Sequence, residues 1–432
     1  MKRIKPVWWF VICFNAAASL PAAVIGTNPP ASPLTAQRIS LLPTTTQAGW
    51  KTYLKRSLRQ AAADRRLLQA EERKAGLQHP IIPPSANATR GLALDRPAEW
   101  YGQPEARQIA DIIVSFQTPA GGWSKNLNLT RSARVPGESF APDNRSRRLS
   151  AVDYDEPPDA NRDYVGTFDN AATTTELRFL ARVITVTGGR NSPYRTAFRR
   201  GLDYIFAAQY PNGGWPQVWP LQGGYHDGIT YNDDAMLHVL ELLRDVATGT
   251  NDYAFVPARL RARAAASLQR GLDCVLATQV AVNGKRTAWC QQHDALTLQP
   301  ASARNYEMPA LASSESADLT LFLMQWPNPD ADVVAAAHAA AAWFAQTKIE
   351  NKAYSFVRGQ GRRLVDAPGR GPLWARDYEI GTNRPLFGDR DRSIHDDVNE
   401  ISLERRNGYA WYHASPERVL ELYARWSQAH PQ

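Results

Sequence analysis

The stretch "AAQYPNGGWPQV", residues 207–218, crowds two prolines, two glycines and a tryptophan between two helical patterns, and the chain does this twice. In "SFQTPAGGWSKN", residues 115–126, Gln117, Pro119, Gly121, Gly122 and Trp123 keep the spacing of Gln209, Pro211, Gly213, Gly214 and Trp215. The residues before the loop repeat as well: "GLDYIFAAQ" (201–209) returns as "GLDCVLATQ" (271–279), which runs on through a stretched loop to Trp289. "AAAAWFAQ" (339–346) places a fourth Gln, Gln346, at a helix end. Such self-similarity marks one supersecondary unit stacked several times. Glycines supply the positive φ that a tight turn needs, and the tryptophan plugs the helix end.

Second helices lie between these units, at 170–186, 233–247 and 316–326, with Leu177, Leu180 and Ile184 at helical spacing in the first. No run alternates long enough to demand a large sheet. The expected fold is mainly α, an (α/α) toroid of helical hairpins with short β elements and long loops, in which one set of helix ends forms a common mouth.

The 432 residues divide into an expected signal peptide (1–23), a Pro/Ser/Thr-rich leader or linker (24–46) and one catalytic domain (47–432). The start, with Lys2, Arg3 and Lys5 before an apolar run from Val7 to Phe14, reads as an export signal too short to span a bilayer. Export would make the mature chain secreted, extracellular or periplasmic. Losing those three cations lowers the formal net charge from +8 to +5, a balance that suits an acidic ligand. The helix former at 50–77 carries Leu54, Leu58, Leu67 and Leu68 on an apolar face. Its cations are interleaved with Glu and Asp, as on a solvated face, and no groove-reading module accompanies them, so nucleic acid is not an expected partner. Nor is a membrane, and a monomer is expected. Cys274 and Cys290 are either a disulfide of an oxidising compartment or two buried thiols.

The repeat also gathers chemistry. "GTFDNAATTTE" starts one inner helix with Asp169 and Asn170, and "GITYNDDAM" starts the next with Asn232, Asp233 and Asp234, so both acidic groups reach the same mouth. Each Asp is either a helix N-cap or an oxygen ligand of the kind calcium takes. Later segments bring Arg304, Arg376, Arg390, Arg392, Arg405 and Arg406 toward that rim. Singly, each could be a solvated or surface-paired arginine. Together they fit an anionic polymer, whose carboxylates arginine grips with two parallel hydrogen bonds. His226, His293 and His395 are scattered and lack the spacing of zinc ligands.

Taken in order, "QTPAGGWSKN", "TFDNAATTTELRFL", "QYPNGGWPQ", "ITYNDDAM", "TAWCQQHD", "SARNYE", "SSES", "ARDYEIGTNRPLFGDRD" and "ERRNGYAWY" resemble the pectate lyases of polysaccharide lyase family ten, from about residue 95 to the end. The resemblance implies secretion and calcium-dependent cleavage of polygalacturonate by β-elimination. It makes Asp169 and Asp233 calcium carboxylates with Asn170 as a neighbouring ligand, Arg304 and Arg376 substrate-binding residues, Lys125 a further candidate for that role, and Arg390 the proton-abstracting residue. Two other readings stay open: a hydrolase of acidic polysaccharide on the same framework, using two carboxylates and water, and a pectin-binding module without activity. A terpene cyclase is disfavoured by the export signal and by the lack of an Asp-Asp-x-x-Asp run.

Overall fold

The computed structural model describes residues 23–86, 92–144, 165–189 and 193–431, so nearly all of the expected signal peptide, and 145–164 of the long loop after Asn126, lie outside the described residues. Eleven α-helices are found among the described residues: α1 (Ala36–Ser40), α2 (Thr44–Lys74), α3 (Pro104–Ser115), α4 (Thr174–Thr187), α5 (Pro193–Ala208), α6 (Ala235–Thr248), α7 (Ala258–Thr278), α8 (Ser313–Met324), α9 (Ala331–Thr347), α10 (Leu403–Gly408) and α11 (Ser415–Ala429). Helices α4, α6 and α8 form an inner row, α3, α5, α7 and α9 pack outside them, and α11 closes the end of the row against α8 and α9. This is the expected α/α toroid. The inner helices bury a broad apolar face; α6 buries Ala235, Met236, Leu237, Val239, Leu240, Leu242, Leu243 and Val246 and keeps Glu241 and Asp245 on its part-exposed side.

The quoted loops make the stacking cohere. Each tryptophan donates its indole N–H to a carbonyl in the last turn of the outer helix before it: Trp123 to Ile113 (2.7 Å), Trp215 to Ile205 (2.9 Å), Trp289 to Val275 (2.7 Å) and Trp374 to Phe344 (2.9 Å). They lie among the last carbonyls of each helix, where the regular helical ladder runs out, so the indole is a cap as well as a plug. Each glutamine amide spans two hairpins: Gln117 reaches the carbonyls of Gly121 and Ala197, Gln209 those of Gly213 and Ser267, and Gln279 those of Thr287 and Ala336. Ala197, Ser267 and Ala336 belong to the next outer helix each time, so the glutamine staples one repeat to the following one. Gln346 does not continue the series. It is exposed on α9, and the position four residues beyond the capped Phe344 is Lys348, because the described chain has no further outer helix to staple.

Two other expectations change, and one open alternative closes. Residues 24–46, read as a leader or linker, are packed onto the domain: Gly26–Thr27 pairs antiparallel with Ser393–Ile394, Asn28 and Ile39 are fully buried, and Leu34 donates its N–H to the buried Asp227 (2.9 Å). The segment could not fold alone, but it completes an edge that the domain supplies. Helix α2 buries Trp50, Tyr53, Ser57, Ala61 and Asp64, while Leu58 and Leu67 are exposed. It turns its aromatic side to Tyr210, and Tyr53 donates to the carbonyl of Ala208 at 2.9 Å. Cys274 and Cys290 are free, buried thiols; burial pushes them up to about 12 and about 11, so neither is a reactive thiolate.

The main sheet has five short strands, in the order Gly26–Thr27, Ser393–His395, Pro385–Gly388, Asp377–Tyr378 and Leu311–Ala312. It joins the start of α8 to the loops bearing Arg376 and Arg390. No described helix is long and apolar enough to cross a membrane.

Candidate active site at the mouth of the toroid

Two 3-10 turns, Asp169–Ala171 and Asn232–Asp234, precede α4 and α6 and pack against each other. Both hold a positive φ at their second and third positions: 52° and 59° for Asn170 and Ala171, 51° and 57° for Asp233 and Asp234. Left-handed backbone is strained for residues with a Cβ and least so for Asn and Asp, which accounts for Asn170, Asp233 and Asp234 and leaves Ala171 strained. The matching dihedrals align Asp169 with Asn232 and Asn170 with Asp233. The two acids are therefore offset by one residue. Asp169 is buried and Asp233 accessible.

Asp169 accepts from the Lys125 ammonium through Oδ2, while its buried Oδ1 has no hydrogen-bond partner. Burial pushes its carboxyl upward, but Lys125 first, then Arg304 and His226, hold it below the usual range. Asp233 is pushed up to about 6 by desolvation and then by the charge of Asp169, against the pull of Arg304 and Arg376. Neither acid caps its helix through its side chain, because the strained turn leads the backbone into the helix instead. Among the described residues no three His, Cys, Asp or Glu side chains stand close enough to hold a metal ion by themselves. His293 is used structurally, with Nε2 accepting from Cys290 N–H (3.1 Å) and Nδ1 beside the Leu298 carbonyl (2.9 Å).

The arginines divide by role. Arg376 is buried and donates to Asn232 Oδ1 (2.9 Å) and Glu315 Oε1 (2.6 Å), with the Tyr409 ring 4.7 Å away. It ties the starts of α6 and α8 together, and Glu315 raises its pKa against the opposing effect of burial. Arg304 makes a two-pronged pair with Glu307, Nε at 2.9 Å and Nη2 at 2.7 Å, and Tyr409 donates to the same carboxylate at 2.7 Å. Arg390 donates through Nε to Glu404 (3.1 Å), which also accepts from Arg405 Nε (2.6 Å). Glu404 is pushed down to about 2, first by its hydrogen bond from Arg405. Three guanidinium groups gather around the ring of Tyr306: Arg405 at 4.4 Å, Arg304 at 5.3 Å and Arg390 at 5.5 Å. The charges of Arg304 and Arg376 act on Asp233, and that of Arg304 on Asp169 as well, whereas Arg390 is not among the principal influences on either acid.

Sequence reasoning missed the groups that organise these arginines: Tyr306, Glu307, Glu315 and Tyr409. The Arg-x-x-Glu spacing of Arg304 and Glu307 was a usable signal. The pairing of Arg376 with Glu315 spans 61 residues and had none.

The inner helix ends of this α/α toroid thus bring Asp169 and Asp233 within the electrostatic reach of Arg304, and Asp233 within that of Arg376 as well. The family model described as pectic acid lyase matches residues 117–420, and the chain belongs to that family; it is a pectate lyase. Its fold is similar to the family 10 polysaccharide lyase from Cellvibrio cellulosa, with TM-score 0.62 and 33% identity over 79% of this chain and 99% of that one. It is likewise similar to an aspartate-to-alanine mutant of the Cellvibrio cellulosa lyase in complex with trigalacturonic acid, with TM-score 0.63 and 32% identity over 80% of this chain and 100% of that one. No curated protein matches.

Proposed function

We propose that the protein is an exported, monomeric lyase that cleaves polygalacturonate by calcium-dependent β-elimination and leaves an unsaturated uronate at the new end. The observation that carries this reading is the meeting, at one mouth, of the carboxylates Asp169 and Asp233 with the charges of Arg304 and Arg376. The residues fit a calcium ion: Asp169 Oδ1 is buried without a partner, Asp233 is crowded by Asp169, and Asn170 adds a neutral oxygen beside them. Asp169, Asp233 and Asn170 would hold the ion; when bound, it draws charge from a uronate carboxylate and acidifies the C5 hydrogen next to it. Lys125, which pairs with Asp169 Oδ2, is a further candidate for gripping a uronate carboxylate.

In the elimination, the C5–H electrons become the C4–C5 double bond, the C4–O bond breaks, and the departing oxygen takes a proton. The chain must grip the carboxylates, stabilise the enolate-like charge and accept the C5 proton. Arg304 and Arg376 stabilise the charge, since positive groups fixed in a water-poor site need no reorganisation as the charge develops. Arg390 is the proton acceptor in the first reading. Arginine is almost always protonated, so this step needs a small neutral fraction and is favoured by alkaline conditions. A second reading assigns the acceptor role to Arg304, because its charge reaches both Asp169 and Asp233; against it, Glu307 raises the pKa of Arg304.

The test is polygalacturonate turnover, followed by the ultraviolet absorbance of the unsaturated product, with and without a chelator. Saturated ends formed equally well in chelator would establish a hydrolase instead, and binding without cleavage a pectin-binding module. Lysine replacements separate the two arginines. At the acceptor, lysine should lower kcat by orders of magnitude with little change in affinity, whereas at a carboxylate clamp it should weaken affinity and spare kcat.

A further inference from the structure

The N-terminal segment does more than cover an edge. Asn28 is fully buried, and its side-chain Nδ2 lies 3.0 Å from the carbonyl oxygen of Arg304, 2.9 Å from that of Asn305 and 3.1 Å from that of Glu307. An amide nitrogen has two hydrogens, so three carbonyls around it form a shared socket that only a donor can fill. Asn28 Oδ1 is buried with no partner. The residue therefore bears the cost of a buried, unsatisfied oxygen while its donors are fully used. The same residue's backbone N–H donates to the carbonyl of Arg392 at 2.8 Å, and the Ile25 N–H donates to that of Ile394 at 2.8 Å. Between the two loops, Asn305 Nδ2 donates to the carbonyl of Arg390 at 2.8 Å. A Cβ at Gly388 would stand 2.3 Å from the Tyr306 carbonyl oxygen, so the loops are pressed together with no room to slide.

We propose that Asn28 is a positioning residue of the active site, and that residues 25–28 form a brace holding the loop of Arg304, Tyr306 and Glu307 in register with the loop of Arg390. This deepens the lyase reading and rests on it for its catalytic consequence. The brace lies outside the family match at 117–420. The two Cellvibrio cellulosa chains are covered almost completely by only 80% and 79% of this chain. The brace acts through the arginines and touches no reacting atom. Its importance follows from geometry, because a misplacement of about 1 Å at a catalytic group costs up to about a hundredfold in rate.

The test uses the full chain. Asn28→Leu keeps the volume and removes both donors. Its kcat on polygalacturonate should fall about 10- to 100-fold, KM should move less, and hydrogen exchange should rise in the peptides covering 304–307 and 389–394 while α6 keeps its protection. Asn28→Ser, which retains one donor, should fall between wild type and Asn28→Leu, and it carries the test if the leucine variant does not fold. Ser40→Ala, on the same segment, should leave rate and exchange unchanged. A wild-type kcat in both Asn28 variants, or exchange that rises equally throughout the molecule, overturns the brace. If the wild-type chain makes no unsaturated product, the lyase reading falls, and the exchange measurement alone decides whether Asn28 holds the two loops.

Discussion

At Asp169 a buried carboxylate is held by one lysine while its second oxygen has no partner. Asp169→Ala would therefore remove the carboxylate that pairs with Lys125 and, on the proposed calcium reading, one oxygen ligand. Because the side chain does not cap α4, the stability cost should come from breaking the largely buried pair with Lys125, up to about 3–5 kcal/mol, while turnover collapses. Comparing thermal melting with product formation checks this; a variant that only melts earlier would make Asp169 a structural residue. Glu176, buried at the start of α4, gives a sharper pH test. Burial pushes it up to about 7, despite the backbone N–H groups near its carboxyl. A raised acid pKa means that the folded state keeps a proton the unfolded chain gives up, so the wild type should lose stability as pH rises from about 4.5 through about 7. Glu176→Gln removes that slope, and near pH 8 it should be more stable than wild type by up to about 3 kcal/mol, read from denaturant melts at several pH values.

At the scale of the element, the loop after each outer helix is the unit of construction. Gly213 has a φ of +94°, and a Cβ there would lie 2.0 Å from the carbonyl oxygen of Arg270 on the next outer helix; Gly121 repeats the arrangement against Arg200. Gly213→Ala should therefore destabilise the chain by at least about 3 kcal/mol, combining a strained dihedral with a backbone collision that no rotamer can relieve. A denaturant midpoint near that of wild type would contradict the stapled-repeat account. These loops were legible because a local turn dictates its own residues: glycine for φ, glutamine for a carbonyl of the same loop and tryptophan for one of the outer helix before it. The offset between Asp169 and Asp233 is written in the sequence too, since Thr167-Phe168 and Thr230-Tyr231 align Asp169 with Asn232, and the dihedrals give the same alignment. The leucines of α2, by contrast, misled. An apolar stripe says that a helix can bury a face, but the partner decides which one, and here it is Tyr210 facing Trp50 and Tyr53.

For the whole molecule, the calcium reading predicts a linkage. Calcium that binds the folded mouth and not the unfolded chain should raise the melting temperature in proportion to the logarithm of its concentration, equivalent to about 2.7 kcal/mol at a hundredfold excess over Kd. Asp169→Ala should lose that dependence, and a wild-type melt indifferent to calcium would count against the site. The repeated turns, the apolar inner helices, the acids at the inner helix starts and the arginine-rich terminal segments were all written locally, in spacing and residue type, and so were present in the sequence by itself. Only the tertiary structure decided which arginine is a buried strut and which face Tyr306, because Glu315, the partner of Arg376, and Glu404, the partner of Arg390, come from separate segments. It alone also turned residues 25–28 from an apparent leader into a brace. An unpaired segment has no local signature of the edge it will complete, and the three carbonyls that surround Asn28 are brought together only when the 304–307 loop has folded against the rest of the chain.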